Sequence, residues 1–287
     1  MKATKIGTIG PGQDGAIYGS ELFRLDARGN CAVYCLEQLR KSDVPDLSPI
    51  ATFRLDKADS IVPHSNSVCF SCDFYHPDDD YPLLYTNIYN NYKDAEDRLL
   101  GVCCVYRIQR SGSAFTSTLV QLIQIGFCED PSLWKVSFDR HGVRPYGNFV
   151  IDTENRSLYA YVMRSEALGS RYFRFALPDP HDGEPDARFH IKAIVLEKED
   201  IQEHFDGGYH RFMQGAILHK GRIYTAEGFD NDPIHRPAIR IVDLSDKRET
   251  YLDLLEIGME HEPELIDFYN GICLYSDYPG NLYAVEF

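Results

Sequence analysis

Five polar residues, far apart in the chain, each stand directly ahead of a residue that opens a short apolar run. They are Asp14 before Gly15, Asn66 before Ser67, Tyr146 before Gly147, Gln214 before Gly215 and Glu264 before Leu265. His64, Arg144 and Glu262 lie two positions earlier in three of these stretches, and His210 lies close to another. Gathered in one place, these types support definite chemistry. Asp14 and Glu264 are the expected metal ligands. With Glu262 nearby and neutral oxygens from Asn66 or Gln214, they suit a hard divalent cation such as calcium. Such a cation polarises a phosphoryl or ester group and lowers the pKa of a bound water. Two carboxylates facing a sugar could instead act as acid and base. His64 and His210 could move a proton near neutral pH, and Arg144 could grip a carboxylate or phosphate through two bonds. Asp14, Glu262, Glu264 and His64 are therefore the candidate catalytic residues. Asn66, Arg144, Tyr146, His210 and Gln214 are the candidate ligand contacts.

A repeat would bring such distant residues together, and the chain contains one. The parent copy is FMQGAILHKGRIYTAEGFDNDPIHRPAIRIVDL, residues 212–244. Ala216–His219 is a short apolar-rich run, Lys220-Gly221 is a tight turn, and Arg222–Ala226 is a strand with Ile and Tyr suited to a pleated surface. Ile239–Leu244 alternates again, and Thr250–Ile257 supplies a fourth run. Four short strands per unit, repeated every few tens of residues, mark a β-propeller blade. The copies fall at about 11–57, 62–128, 144–199, 210–258 and 260–287. Their second strands carry Phe23, Tyr85, Tyr159, Tyr224 and Tyr275, and the fourth strand of the third copy is expected at His190–Lys198. The last copy stops after three strands. Residues 1–10, MKATKIGTIG, read like the segments that end other copies. The expectation is one all-β domain, a five-bladed propeller closed by the N-terminal strand, which removes the unpaired edges. In that fold the residues ahead of each innermost strand converge on one mouth of the channel.

Composition narrows the partners. The formal charge of −15 repels nucleic-acid backbone and anionic membrane. No apolar run approaches a membrane span, and the N-terminus has no apolar signal core. A cytoplasmic protein with reduced thiols is expected, with no nucleic-acid or membrane partner. Eight cysteines fall mostly in strand-like runs. Cys69-Phe70-Ser71-Cys72 lacks the second pair that a zinc site needs. Asp78-Asp79-Asp80 reads as a solvated loop on the far face, and Asp230-Asn231-Asp232 as a turn that overhangs the mouth. Trp134, the lone tryptophan, lies in a long connecting segment. The chain has no G-x-S-x-G elbow, P-loop, dinucleotide fingerprint or H-E-x-x-H.

The closing copy, GMEHEPELIDFYNGICLYSDYPGNLYAVEF, resembles a blade type of five-bladed propellers. That type occurs in calcium-dependent nucleotidases and in lactonase-like or phytase-like enzymes, and the fold also includes glycosidase-like members. The resemblance implies that Glu262 and Glu264, ahead of the innermost strand, stand where an acidic residue contacts a channel cation. Two readings follow. In the first, a polar molecule bearing a sugar or phosphate binds in the funnel, with hydrolysis assisted by a divalent cation. In the second, a non-catalytic scaffold presents its loops to a protein or glycan.

Overall fold

The computed structural model describes residues 1–40, 44–88, 99, 101–127, 148–165, 169–208, 212–230 and 232–287. A first strand, β1 (Lys2–Thr8), is followed by blade I: β2 (Gly15–Tyr18), β3 (Glu21–Leu25), β4 (Asn30–Cys35) and β5 (Ala51–Arg54). Blade II has β6 (Val68–Phe70), β7 (Leu84–Asn87), β8 (Val102–Ser111) and β9 (Ala114–Ile125). Blade III begins with β10 (Asn148–Asp152), β11 (Ser157–Ser165) and β12 (Gly169–Ala176). The chain then crosses to blade II with β13 (Glu184–Pro185) and β14 (Lys192–Leu196), and returns with β15 (Glu203–Gly207). Blade IV is β16 (Met213–His219), β17 (Arg222–Glu227), β18 (Ala238–Asp243) and β19 (Glu249–Asp253). Blade V is β20 (Pro263–Tyr269), β21 (Ile272–Asp277) and β22 (Asn281–Glu286), completed by β1. The fold is the expected five-bladed propeller, with the N-terminal strand closing the ring.

Closure is specific. Strand β1 runs antiparallel to β22, from Lys2 opposite Glu286 to Thr8 opposite Asn281. Beyond it Ile9 is buried, and its N–H donates to the Gly280 carbonyl at 2.8 Å. Gly280 has φ of +94°, and a Cβ there would sit 2.0 Å from the Ile9 carbonyl oxygen. Only glycine fits so close an approach.

The core is five separate apolar clusters, each sandwiched between two neighbouring blades. Strand alternation drives this, since successive side chains of one strand face opposite neighbours. Phe23, Tyr85, Tyr159 and Tyr224 each pack toward the next blade in the chain. Tyr275 differs from the sequence alignment. It packs back against blade IV, and Leu274 faces blade I in its place. A one-residue offset in alignment exchanges the faces.

The fourth strand of blade III also differs from the expectation. His190–Lys198 does not close that blade. Its core, β14, runs parallel to β9 and extends blade II. The closing strand is β15, which pairs with β12. Leu196 explains the exchange, because it buries between blades II and III. An outermost strand needs little apolar surface, and β15 supplies one ring, Phe205, stacked on Tyr172 at 4.6 Å.

The closing contact yields a test. Gly280→Ala should destabilise the protein by about 1–3 kcal/mol, the range for strain at a sparsely populated backbone conformation. Urea unfolding measures this, and a loss under about 0.5 kcal/mol, typical of surface positions, would contradict the closure geometry.

Candidate axial site

The innermost strands β2, β6, β10, β16 and β20 surround the axis and touch one another. Their pairing fixes which residues are equivalent. Ala16, Cys69, Ile217 and Asp267 lie opposite Phe23, Tyr85, Tyr224 and Leu274. Three residues earlier in each blade stand Gln13, Asn66, Gln214 and Glu264. Among the described residues, this ring holds three carboxamides and one acid. Blade I contributes Gln13, which the sequence reading passed over, and Asp14 lies one step deeper.

A local device turns these side chains inward. The pairing of β16 with β17 skips Gln214, and that of β20 with β21 skips Glu264. In blade I, Gln13 N–H donates to the Leu25 carbonyl at 2.7 Å while Leu25 N–H donates to the Asp14 carbonyl at 3.1 Å, so two residues oppose one. These are β-bulges, which re-aim a side chain at the cost of regular pairing. Gly215 makes room, since a Cβ there would lie 3.0 Å from Asp14 Oδ1 and 2.8 Å from the Glu264 carbonyl oxygen.

Side chains span the axis at this level. Asp14 Oδ2 accepts from the backbone N–H of Val68 at 2.8 Å and of Ala216 at 3.4 Å, which ties blade I to blades II and IV. Asn66 Nδ2 donates to Gln214 Oε1 at 2.5 Å, although blades II and IV are not ring neighbours. Gln214 Nε2 donates in turn to Glu262 Oε1. Gln13 Nε2 donates to Glu264 Oε1 at 3.1 Å. The Asn66 backbone is fixed separately, since its N–H and that of Ser67 both donate to Asn87 Oδ1 at 2.9 Å. Beneath the Gly12–Asp14 loop, the buried Arg24 donates through Nη2 to the carbonyls of Gly12 at 2.8 Å and Asp277 at 3.2 Å. Polar β3 residues at an apolar-looking position were the signal for Arg24, in the run ELFRL.

Several buried atoms in this cluster have no hydrogen-bond partner. They are Gln13 Oε1, Asp14 Oδ1, Ser65 Oγ, Asn66 Oδ1, Glu264 Oε2, and Nε and Nη1 of Arg24. Each such group costs about 1–3 kcal/mol if nothing satisfies it. Most are oxygens. The Gln13 amide donates to Glu264 and the Asn66 amide to Gln214, which leaves the Gln13 and Asn66 oxygens over.

Burial sets the protonation of the acids. It raises Asp14 and Glu264 well above the usual carboxylate range, and the Glu262 charge adds to the effect on Glu264 while Arg24 opposes it. Glu262, half-buried at the mouth, is pushed up to about 7 by burial and by the Asp230 charge. Farther along the axis, burial pushes Asp267 up to about 7, although it accepts from Ile17 N–H at 2.6 Å and Phe268 N–H at 2.7 Å. His64 is half-buried two residues ahead of Asn66, and burial lowers its pKa.

The structure thus brings Asp14, Asn66, Gln214, Glu262 and Glu264 into one cluster. Arg144, Tyr146 and His210 lie outside the described residues, as does Trp134. Asp232 is a turn residue, capping the N–H groups of Ile234 and His235 at 2.7 and 2.9 Å, while Asp230 reaches across to accept the Glu262 N–H at 2.5 Å. On the far face Asp79 is no solvated charge, because it is buried against Arg107 at 2.5 Å. Cys69 and Cys72 are both free thiols. Among the described residues no group of three or more His, Cys, Asp or Glu side chains is gathered as a metal site. A second buried charged group lies at the mouth-side end of β17. Arg240 pairs with Glu227 at 2.7 Å and Glu249 at 2.9 Å, and Glu249 accepts the Gly208 N–H at 2.8 Å. It ties blade III to blade IV.

The raised acids have a consequence for stability. Above about pH 4 the unfolded chain has released protons that the folded axial acids still hold. Their contribution is therefore greatest below that range and is lost as pH rises through about 7, the value reached by Asp267 and Glu262. Urea midpoints should fall between about pH 5 and about pH 8, with a shallower fall in Asp267→Asn. A midpoint that climbs across this window would contradict the assignment.

No protein-family model matches the chain, and no curated protein matches it. Among solved structures, glutaminyl cyclase of Myxococcus xanthus is similar at 9% identity and a TM-score of 0.48, over 100% of this chain and 96% of that one. Hydrazine synthase of Kuenenia stuttgartiensis matches at 8% identity and 0.44, over 92% of this chain. BamB from Moraxella catarrhalis matches at 8% and 0.35, over 99% of this chain. The chain spans 61% of the length of each of the latter two. The five sheets and their ring of contacts establish the propeller without these distant likenesses.

Proposed function

We propose that this propeller binds a small polar ligand at the axial cluster, with a divalent cation among the axial oxygens. One observation carries the reading: buried oxygens of Gln13, Asp14, Asn66 and Glu264, gathered at the entry ends of the innermost strands, lack partners. Such oxygens call for a cation, once the acids among them ionise, or for a molecule rich in hydroxyl or ammonium donors. The donor set is all oxygen, two carboxylates with amide and hydroxyl groups, which suits calcium better than a soft metal. A sugar could meet these oxygens directly. A phosphate-bearing ligand would need the cation between, because carboxylates and amide oxygens repel phosphate.

The chemistry that suits the site is hydrolysis assisted by that cation. Glu262, at the mouth and near neutrality, is placed to give or take a proton. The scaffold reading draws on a different observation. Phe212, Phe229 and His235 form an aromatic group beside the mouth, with Ile234 on the same loop 66% exposed. That surface would suit a protein or glycan.

A thermal-melt screen against calcium, magnesium, manganese, zinc, sugars and nucleotides separates the readings. A ligand of the folded state at a hundredfold excess over its dissociation constant adds about 2.7 kcal/mol. Calcium should raise the melting temperature of the wild type and not that of Glu264→Gln. If no metal or small molecule shifts the wild type, the axial reading fails and the mouth loops become the site to test with partners.

A further inference from the structure

The loop that carries the mouth aromatics is tied to the axial residues at both ends. Gly228 N–H donates to the carbonyl of Phe212, two residues ahead of Gln214, at 2.9 Å. Asp230 accepts the Glu262 N–H, and Glu262 in turn accepts from Gln214. Phe229, between these attachments, packs on Phe212 with ring centroids 4.6 Å apart, and His235 stands edge-on to Phe212 at 4.8 Å. Phe229 N–H donates to the His235 carbonyl at 2.9 Å, which holds the loop closed. Phe212 and Phe229 remain partly exposed. An apolar platform therefore borders the mouth beside the Gln214–Glu262 bond.

The charge next to this platform is negative. Among the described residues no Lys or Arg pairs with Glu262 or Asp230, and the basic group near Asp230 is His261, at 3.5 Å. The Asp230 charge bears on Glu262, and the Glu262 charge on Glu264, so negative potential continues from mouth to axis. At the axis itself Arg24 offsets one of the two charges that Asp14 and Glu264 carry when ionised. One net negative charge is left among the unpartnered oxygens of Gln13, Asp14, Asn66 and Glu264. A primary ammonium matches that set. It carries one positive charge and three N–H donors, and amide oxygens serve it as well as carboxylates do. A divalent ion would overshoot the axial charge.

We infer that the ligand of this site is an organic ammonium, with its positive head among the unpartnered axial oxygens and its apolar body on Phe212 and Phe229. An aromatic face attracts a cation and shields the carbons beside it from water. A hydrated metal ion gains nothing from such a surface, so the platform has a use only if the cation is organic. The inference rests on the reading that the axial oxygens receive a ligand, and it makes an ammonium and a divalent cation rivals for them. The ammonium can come from a free amine or from the side chain of a lysine, and the chemistry at the site is the same.

Calorimetric titration of the full chain tests this with benzylammonium and 2-phenylethylammonium, and with benzyl alcohol and benzoate as neutral and anionic matches. Acetyl-lysine amide separates the lysine source from the free amine. An ammonium should bind at least ~10-fold more tightly than its neutral match, the weight of hydrogen bonds to a charged group. Glu264→Gln, which keeps the side-chain shape, should remove that preference. Phe229→Leu should weaken the aryl ammonium ~5-fold and leave calcium affinity unchanged, which separates the platform from the oxygens. Added calcium should compete with the ammonium. Benzyl alcohol binding as well as benzylammonium overturns the inference, and so does an ammonium preference that survives Glu264→Gln. Calcium binding with no response to any ammonium also overturns it and leaves the metal reading standing. Ammonium binding without calcium binding supports the inference and removes the metal. Binding of neither removes both.

Discussion

Everything at the axis follows from one constraint. Five innermost strands meet around a line, and each presents backbone N–H groups that no further strand can pair. Buried donors of that kind must find acceptors. Asp14 meets the demand by accepting from Val68 and Ala216, on two different blades, with one carboxylate oxygen. Asp267 does the same for Ile17. The ring is thus held by acids in its centre as well as by apolar clusters between its blades. Using acids this way buries negative charge, and burial pushes those acids toward protonation. The feature that completes the fold also ties the centre to the protonation of its acids.

The repeat was legible because packing enforces it. Each blade must present apolar residues on two faces, so alternating strands and Gly-containing turns recur in the sequence. The N-terminal strand was legible for the same reason, since the last copy lacked a partner. The exact register was less so. Bulges at Gln214 and Glu264 add a residue without changing composition, and alignment on the small residue moved the blade I position from Gln13 to Asp14. The same kind of slip paired Tyr275 with Tyr224, when Leu274 holds that place. Strand β15 was hidden because an outermost strand needs so little apolar surface, whereas β14 resembles an inner strand.

The candidate site was legible as a set of residue types but not as a network. Sequence shows that Asn66, Gln214 and Glu262 could share a mouth. It does not show that blades II and IV approach closely enough for two amides to bond across the axis. Nor does it show that Arg24 is buried beneath the loop of blade I. Both depend on how narrow a ring of five blades is. The Arg240 group was invisible for another reason: its partners Glu227 and Glu249 come from strands on either side of it, and each alone reads as a surface charge.

Amides in place of acids at three of the four described ring positions shape what the axis can do. Four acids on one ring would repel one another and, once buried, would hold several protons. Gln13, Asn66 and Gln214 keep the oxygen atoms and remove the charge. An amide also has a direction, which a carboxylate lacks. Arg24 offsets part of the charge that Asp14 and Glu264 carry when ionised, and the amides keep the rest of the ring neutral.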